Sequence, residues 1–481
     1  MSSINEEKSI SQEFLDDTDA KLDNIQLSRP NYINGLIKSL IFTAIAALFF
    51  FVPINISGSN EILFGFIYNY MIDLFGIFGI WLVSLIIIGN VIAFIYAKTL
   101  AKENSKIKNY YKTESTIYLV VYIIGAIYSL MYTLHVTFPS LGISQVFVGE
   151  DTGGLMSAIS LAVFWVIPLG SILIPFFVSY GAINFIGTLV TPIMRPIFKV
   201  PGKSAVDAIT SFLTSSSVAV LITSKLYKSN IYTVKESTLI ATGFSAVSIG
   251  YAAVVINTAG LMDHFFVVYI TSFIIALFVA MIAVRIPPIS RKSNDYFNGR
   301  AQTDQERIGE KYHRGIFKSA TNRAVKQAYT ADNFFKETGR SLRDGLAVLP
   351  KVLGILFTVG VTCLIIAEYT SFFDIIGIVF VPLLNLLQIP NAMIVAPAII
   401  MGIAEMFLPV LMIADSIDTV DIGARYFITV ISMVQMIFFV ETAPVMLSTG
   451  LRIKAWELVV LFFQRTLIAI PIAAIFMHLL F

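Results

Sequence analysis

The residues best suited to chemistry in this 481-residue chain are carboxylates, hydroxyls and amides embedded in long apolar runs. Glu405 lies in GIAEMFLP and Glu441 in VETAPVM. A carboxylate in hydrocarbon is expensive unless it faces protein, water or a cation, so each either contacts a substrate or ion or serves as a structural or snorkelling group. Held neutral by burial, such a group can couple protons; held charged, it can bind sodium together with backbone carbonyls. Thr214, Ser215, Ser216 and Ser217 form a hydroxyl cluster that either presents donors at a helix break or bonds back to its own helix. Asn257, Ser248, Ser432 and Gln435 are uncharged polar residues inside apolar runs, where they line a site or hydrogen-bond between helices. Thr442 follows Glu441 directly. Arg465, ten residues into the last apolar run, reads as the partner of a buried acid or as a side chain snorkelling to an edge. Asp374, Asp415, Asp418 and Asp421 read as solvated loop residues.

Other chemistries find no set of residues. A single cysteine, Cys363, rules out an internal disulfide framework, and His135, His264, His313 and His478 are too scattered for a histidine metal site. Gly202-Lys203-Ser204 resembles the end of a phosphate loop, but Ile197 stands where the leading glycine is required. An intramembrane enzyme would need an HExxH, a Ser-His or an Asp-Asp pair, and none is recognisable. No cofactor is expected, only sodium or protons as coupling ions.

The elements that must position these residues are membrane helices. Apolar residues make up 57% of the chain, charged residues 13%, and the mean hydropathy is +0.81. Runs near the ~20 residues that cross a bilayer recur along the sequence. The expected class is an all-α polytopic membrane protein of about nine transmembrane helices and two re-entrant hairpins. Spans are expected at 37–56, 77–97 after a short lead-in helix, 116–137, 155–179, 236–260, 264–285, 350–369, 425–448 and 456–481. Hairpins are expected at 204–224 and 391–413. Pro192, Pro196 and Pro201 are expected to interrupt any continuous helix between them. Residues 1–35, polar and of mixed charge, read as a cytoplasmic tail rather than a cleaved signal peptide. Residues 285–351 hold fourteen Lys or Arg against seven Asp or Glu, which places that loop inside with the N-terminus. This orientation fits the plasma membrane of a bacterial cell, with the bilayer and a small-molecule substrate as partners and no nucleic acid.

Self-comparison shows one unit written twice. FIGTLVTPIMRPIFKVP (185–201) matches IIGIVFVPLLNLLQIP (375–390), with Gly187 and Gly377 each five residues before Pro192 and Pro382. INTAGLM (256–262) then matches VETAPVM (440–446), setting Asn257 against Glu441, Thr258 against Thr442 and Ser248 against Ser432. An odd number of crossings between the copies makes them inverted, the architecture of secondary transporters with broken helices at the midplane. The units are therefore 36–150 (three spans), 151–285 (repeat 1), 286–345 (basic loop) and 346–481 (repeat 2).

Residues 192–255, from PIMRPIFKVPGKSAVDAITSF to SIGYAAVV, resemble the nucleoside-recognition Gate domain, and the whole chain resembles YjiH-type Gate membrane proteins. Gate domains occur in concentrative nucleoside transporters, in ferrous-iron transporters and in spore maturation proteins. The resemblance implies inverted repeats with two re-entrant hairpins, whose Glu and small polar residues hold nucleoside and sodium, and it is compatible with a homo-oligomer. Glu405 matches that pattern in the second hairpin, while the first offers Ser215, Ser216 and Ser217 with no acid. The implied function is a sodium- or proton-coupled secondary transporter of a small polar metabolite, nucleoside-like, with amino acids or short peptides as the alternative cargo. The other reading is a non-transporting scaffold or regulatory subunit of a membrane assembly, docking through the basic loop.

Overall fold

A computed structural model describes residues 22–481 apart from 51, 57–58, 104, 113, 214–215, 246, 310, 415–416 and 418. Thr214, Ser215, Asp415 and Asp418 therefore lie outside the described residues. The chain is an all-α membrane protein, with one short antiparallel ribbon pairing Pro53–Ile56 with Ser59–Ile62. Among the described residues, seven helices are long and apolar enough to cross a bilayer.

The first three are α1 (Arg29–Phe50), α2 (Leu63–Thr99) and α3 (Ile117–Thr137). They carry outward faces of Leu40, Leu74, Ile92 and Val120, as helices bathed in lipid do. The apolar run of α2 exceeds one crossing, and the helix bends at Gly76, whose φ of 42° is open to a residue without Cβ. Two bundles meet through α12 (below), where Lys351 reaches Glu114 at 2.5 Å and the Tyr110 carbonyl at 2.8 Å.

Next come α4 (Leu155–Val178), α5 (Ala182–Phe198), the pair α6 (Ser204–Leu213) and α7 (Ser216–Lys228), the interrupted helix α8 (Val234–Gly243) and α9 (Ile249–Thr258), and α10 (Phe265–Ala283). A connecting segment with α11 (Ile316–Thr330) leads to α12 (Phe334–Tyr369). The same order then returns. α13 (Phe372–Gly377) and α14 (Val381–Leu386) precede the pair α15 (Ala392–Met401) and α16 (Leu408–Ala414), the interrupted helix α17 (Ile422–Gln435) and α18 (Thr442–Ser448), and α19 (Ala455–Leu480).

The matched segments perform matching work. A Cβ on Gly187 would meet the Lys203 backbone nitrogen at 2.9 Å, and one on Gly377 the Pro397 Cα at 2.6 Å, so each glycine lets its helix lie against the pair that follows. Lys199 (φ 56°) and Gln388 (φ 55°) are both left-handed, each two residues before a proline.

Two expectations need correction. The spans at 236–260 and 425–448 are not continuous helices: each is broken, around 244–248 and 436–441. The first break follows Gly243 directly, but the second carries no proline or glycine; there the Met436 φ of 58° goes with tertiary hydrogen bonds that a linear reading does not contain. Pro192 and Pro196, conversely, do not interrupt α5. Both fall in its later turns, and Arg285 covers the terminal carbonyls, donating to the oxygens of Ile197 (2.8 Å) and Pro196 (3.3 Å). The basic loop is tied to the bundle at its start. Val234 and Lys235 donate their backbone N–H groups to Asp295 (2.9 Å) and Ser293 (3.1 Å), strapping the loop onto the start of α8.

Candidate binding site at the crossing of two interrupted helices

The second break is tied to the turn between α15 and α16. Phe439 N–H donates to the Ile403 carbonyl at 2.8 Å and Val440 N–H to the Ala404 carbonyl at 2.9 Å, tying one turn to another. Irregular backbone at membrane depth needs such partners, because hydrocarbon offers none. Thr442 completes the turn: its Oγ1 accepts from Phe438 N–H at 3.0 Å and lies 3.2 Å from the Met436 and Phe438 carbonyls. These bonds hold the turns that carry Glu405 and Glu441 against each other.

The first repeat reaches into the same place. α7 packs on α18, and α9 packs on α16. Ser217, in the first turn of α7, donates its hydroxyl to the Glu441 carboxylate. Tyr251, in the first turn of α9, donates its phenol to Glu405 at 3.1 Å, and Glu405 also accepts from the Phe407 backbone N–H. Ser248 is the N-cap of α9, accepting from Tyr251 N–H at 3.4 Å, so it fixes the turn that aims Tyr251. Glu405 is buried, Glu441 is partly exposed and Tyr251 is 40% exposed, so the set is open on the side of Glu441 and Tyr251. Both carboxylates accept from hydroxyls or backbone N–H groups: Glu441 from Ser217, Glu405 from Tyr251 and Phe407. Such a pocket can hold a proton, a metal cation or the hydroxyl and amine groups of a small polar molecule.

The structure thus brings together Glu405, Glu441, Ser217, Ser248 and Thr442, with Ser216 buried beside Ser217 at the start of α7. Gln435 stands next to the set, donating to the Ile399 carbonyl (2.9 Å) and Thr466 (3.0 Å) and thereby holding α17 to α15 and α19. Ser432 bonds back to the Thr429 carbonyl of its own helix. Asn257 is exposed at the far end of α9, and the helix N-caps facing each other in the two copies are Ser248 and Glu441 rather than Asn257 and Glu441. Tyr251 escaped the sequence reading although it lies three residues after Ser248, one capping interval into the helix. The expectation that 204–224 carries no acid is also corrected: Asp207 is buried in α6 and accepts from the Tyr232 hydroxyl at 2.5 Å.

Arg465 takes neither of its expected roles. It is 1% exposed, and Nε donates to the Gln435 carbonyl (3.1 Å) and Nη2 to the Val434 carbonyl (2.9 Å). Its partners are the last carbonyls of α17, not an acid.

Away from the carboxylates, a cavity of about 510 Å³ lies under the basic strap, lined by Arg195, Lys203, Arg300, Glu306 and Arg323 among others. Arg195 is ion-paired with buried Glu236, which also accepts from Gln302 at 2.8 Å. Burial and the nearby Glu236 and Glu306 carboxylates push the Tyr296 phenol well above its usual range.

The fold and this crossing define a membrane protein with a Gate domain: the Gate family, described as nucleoside recognition, matches residues 160–262, from within α4 to just past α9. An uncharacterized protein of Alkalihalophilus pseudofirmus is 34% identical over 370 residues, covering 76% of this chain and 77% of that protein, and the chain belongs to its family. No solved structure matches.

Proposed function

We propose that the chain is a secondary transporter of a small polar metabolite, nucleoside-like, driven by a sodium or proton gradient. In this reading the α6–α7 and α15–α16 pairs are re-entrant hairpins, the two copies are inverted, and the N-terminus lies on the cytoplasmic side of a bacterial plasma membrane. The observation that carries it is the crossing itself. The start of α7, the start of α9, the turn between α15 and α16 and the break before α18 converge on Glu405, Glu441, Ser217 and Tyr251. Transporters built on broken helices bind substrate and ion at such a place, and a scaffold has little use for buried carboxylates there. The Gate match supports a nucleoside as the first cargo to test.

The test is thermal unfolding of the purified protein with nucleosides, nucleobases, amino acids and short peptides. A ligand that binds the folded state raises the midpoint. A nucleoside is expected to do so in the wild type and to fail with E405A and E441A. A ligand that acts fully on both variants refutes the site, and a chain stabilised by none of the panel refutes the transporter reading in favour of a scaffold.

A further inference from the structure

We infer that Arg465 is a tethered cation occupying the place that a dissolved coupling cation takes in other broken-helix transporters, so that of the two gradients proposed above it is the proton gradient, not the sodium gradient, that drives this protein. The inference rests on the transporter reading above. The C-terminal end of a half-helix presents unbonded carbonyls and the negative pole of its dipole, about half an elementary charge. Membrane transporters use such ends, with unwound carbonyls, to hold their coupling ion.

Here the C-terminal end of α17 supplies such a pole, and Gly243, the last residue of α8, lies on the other side of the Arg465 guanidinium. Arg465 of α19 sits between them. Toward α17, Nε and Nη2 donate to the carbonyls of Gln435 and Val434, and Nη2 lies 3.3 Å from the Met436 sulfur. Toward α8, Nη1 lies 3.5 Å from the position a Cβ would take on Gly243, the last residue of that helix. One guanidinium therefore engages the last carbonyls of α17, which a sodium ion would need. α19 is continuous through this point and packs on α10 and α17, so the charge is fixed rather than exchangeable. Because its partners are carbonyls, Arg465 leaves Glu405 and Glu441 to be served from solution, by a proton or by a cationic group on the cargo.

The experiment uses the full chain in nanodiscs, with thermal unfolding at constant ionic strength in sodium or potassium chloride, for the wild type and R465A. The wild-type midpoint is expected to be the same in both salts. The R465A midpoint should fall, and millimolar methylguanidinium should raise it more than the same concentration of tetramethylammonium. A sodium-specific rise in the wild type overturns the inference, as does an R465A midpoint indifferent to methylguanidinium. If R465A yields no folded protein, the wild-type salt comparison still decides: equal midpoints uphold the inference and a sodium-specific rise sinks it. Neither arm uses a cargo, so failure of the transporter reading, seen as no stabilisation by any small molecule, is read separately.

Discussion

In the first of the two stretches of like element order, the first turn of α7 and the start of α9 deliver Ser217, Ser248 and Tyr251. In the second, the turn between α15 and α16 and the break before α18 deliver Glu405 and Glu441. The backbones do the same things in the same order, down to a left-handed residue two positions before a proline. The side chains at the crossing do not: one half supplies hydroxyl donors and the other carboxylate acceptors. Two stretches of like element order thus bring unlike side chains together, because each completes hydrogen bonds that the other cannot make alone.

Four experiments would break or sharpen that comparison. The largest effect is all-or-none. If the copies are inverted, cysteines at Lys228 and Asp421, which follow equivalent helix pairs, label from opposite faces of the membrane once Cys363 is replaced; labelling from one face ends the inversion. Next is the donor and acceptor split. E441Q should weaken the affinity of any stabilising ligand by ~100-fold, and S217A by ~10-fold, about 2.7 and 1.4 kcal/mol, as for loss of a charged group and of one hydrogen bond to it. Equal losses from both would show that the serine matters for more than its hydroxyl. Third, G187A and G377A should each destabilise by about 1–3 kcal/mol, since a new Cβ meets backbone atoms in both copies, whereas G89A, with nothing within 4 Å, should not. A neutral G187A or G377A would mean that the close approaches are not equivalent. The smallest effect separates the two candidate alignments. S248A should cost about 1 kcal/mol through the lost N-cap, and N257A should leave both stability and ligand response unchanged.

Much of this was legible without coordinates. Membrane class, the bend inside the long second apolar run, the two helix pairs and the duplicated Gly-Pro segments follow from hydropathy, length and glycine spacing, which are local properties. Glu405 and Glu441 stood out because a carboxylate in an apolar run is conspicuous whatever it touches.

The breaks, Tyr251 and Arg465 were not legible, for a common reason. The interruption at 436–441 falls in an apolar run, and what holds it is a set of hydrogen bonds to a segment far away in sequence, such as Phe439 to Ile403. Tyr251 is one aromatic among twenty tyrosines until Glu405 lies opposite its hydroxyl. Arg465 invited a search for a carboxylate partner, because charge pairing is what a sequence can suggest. The partner it found is the end of a helix, a charge made by peptide dipoles in register, which exists only once the chain has folded.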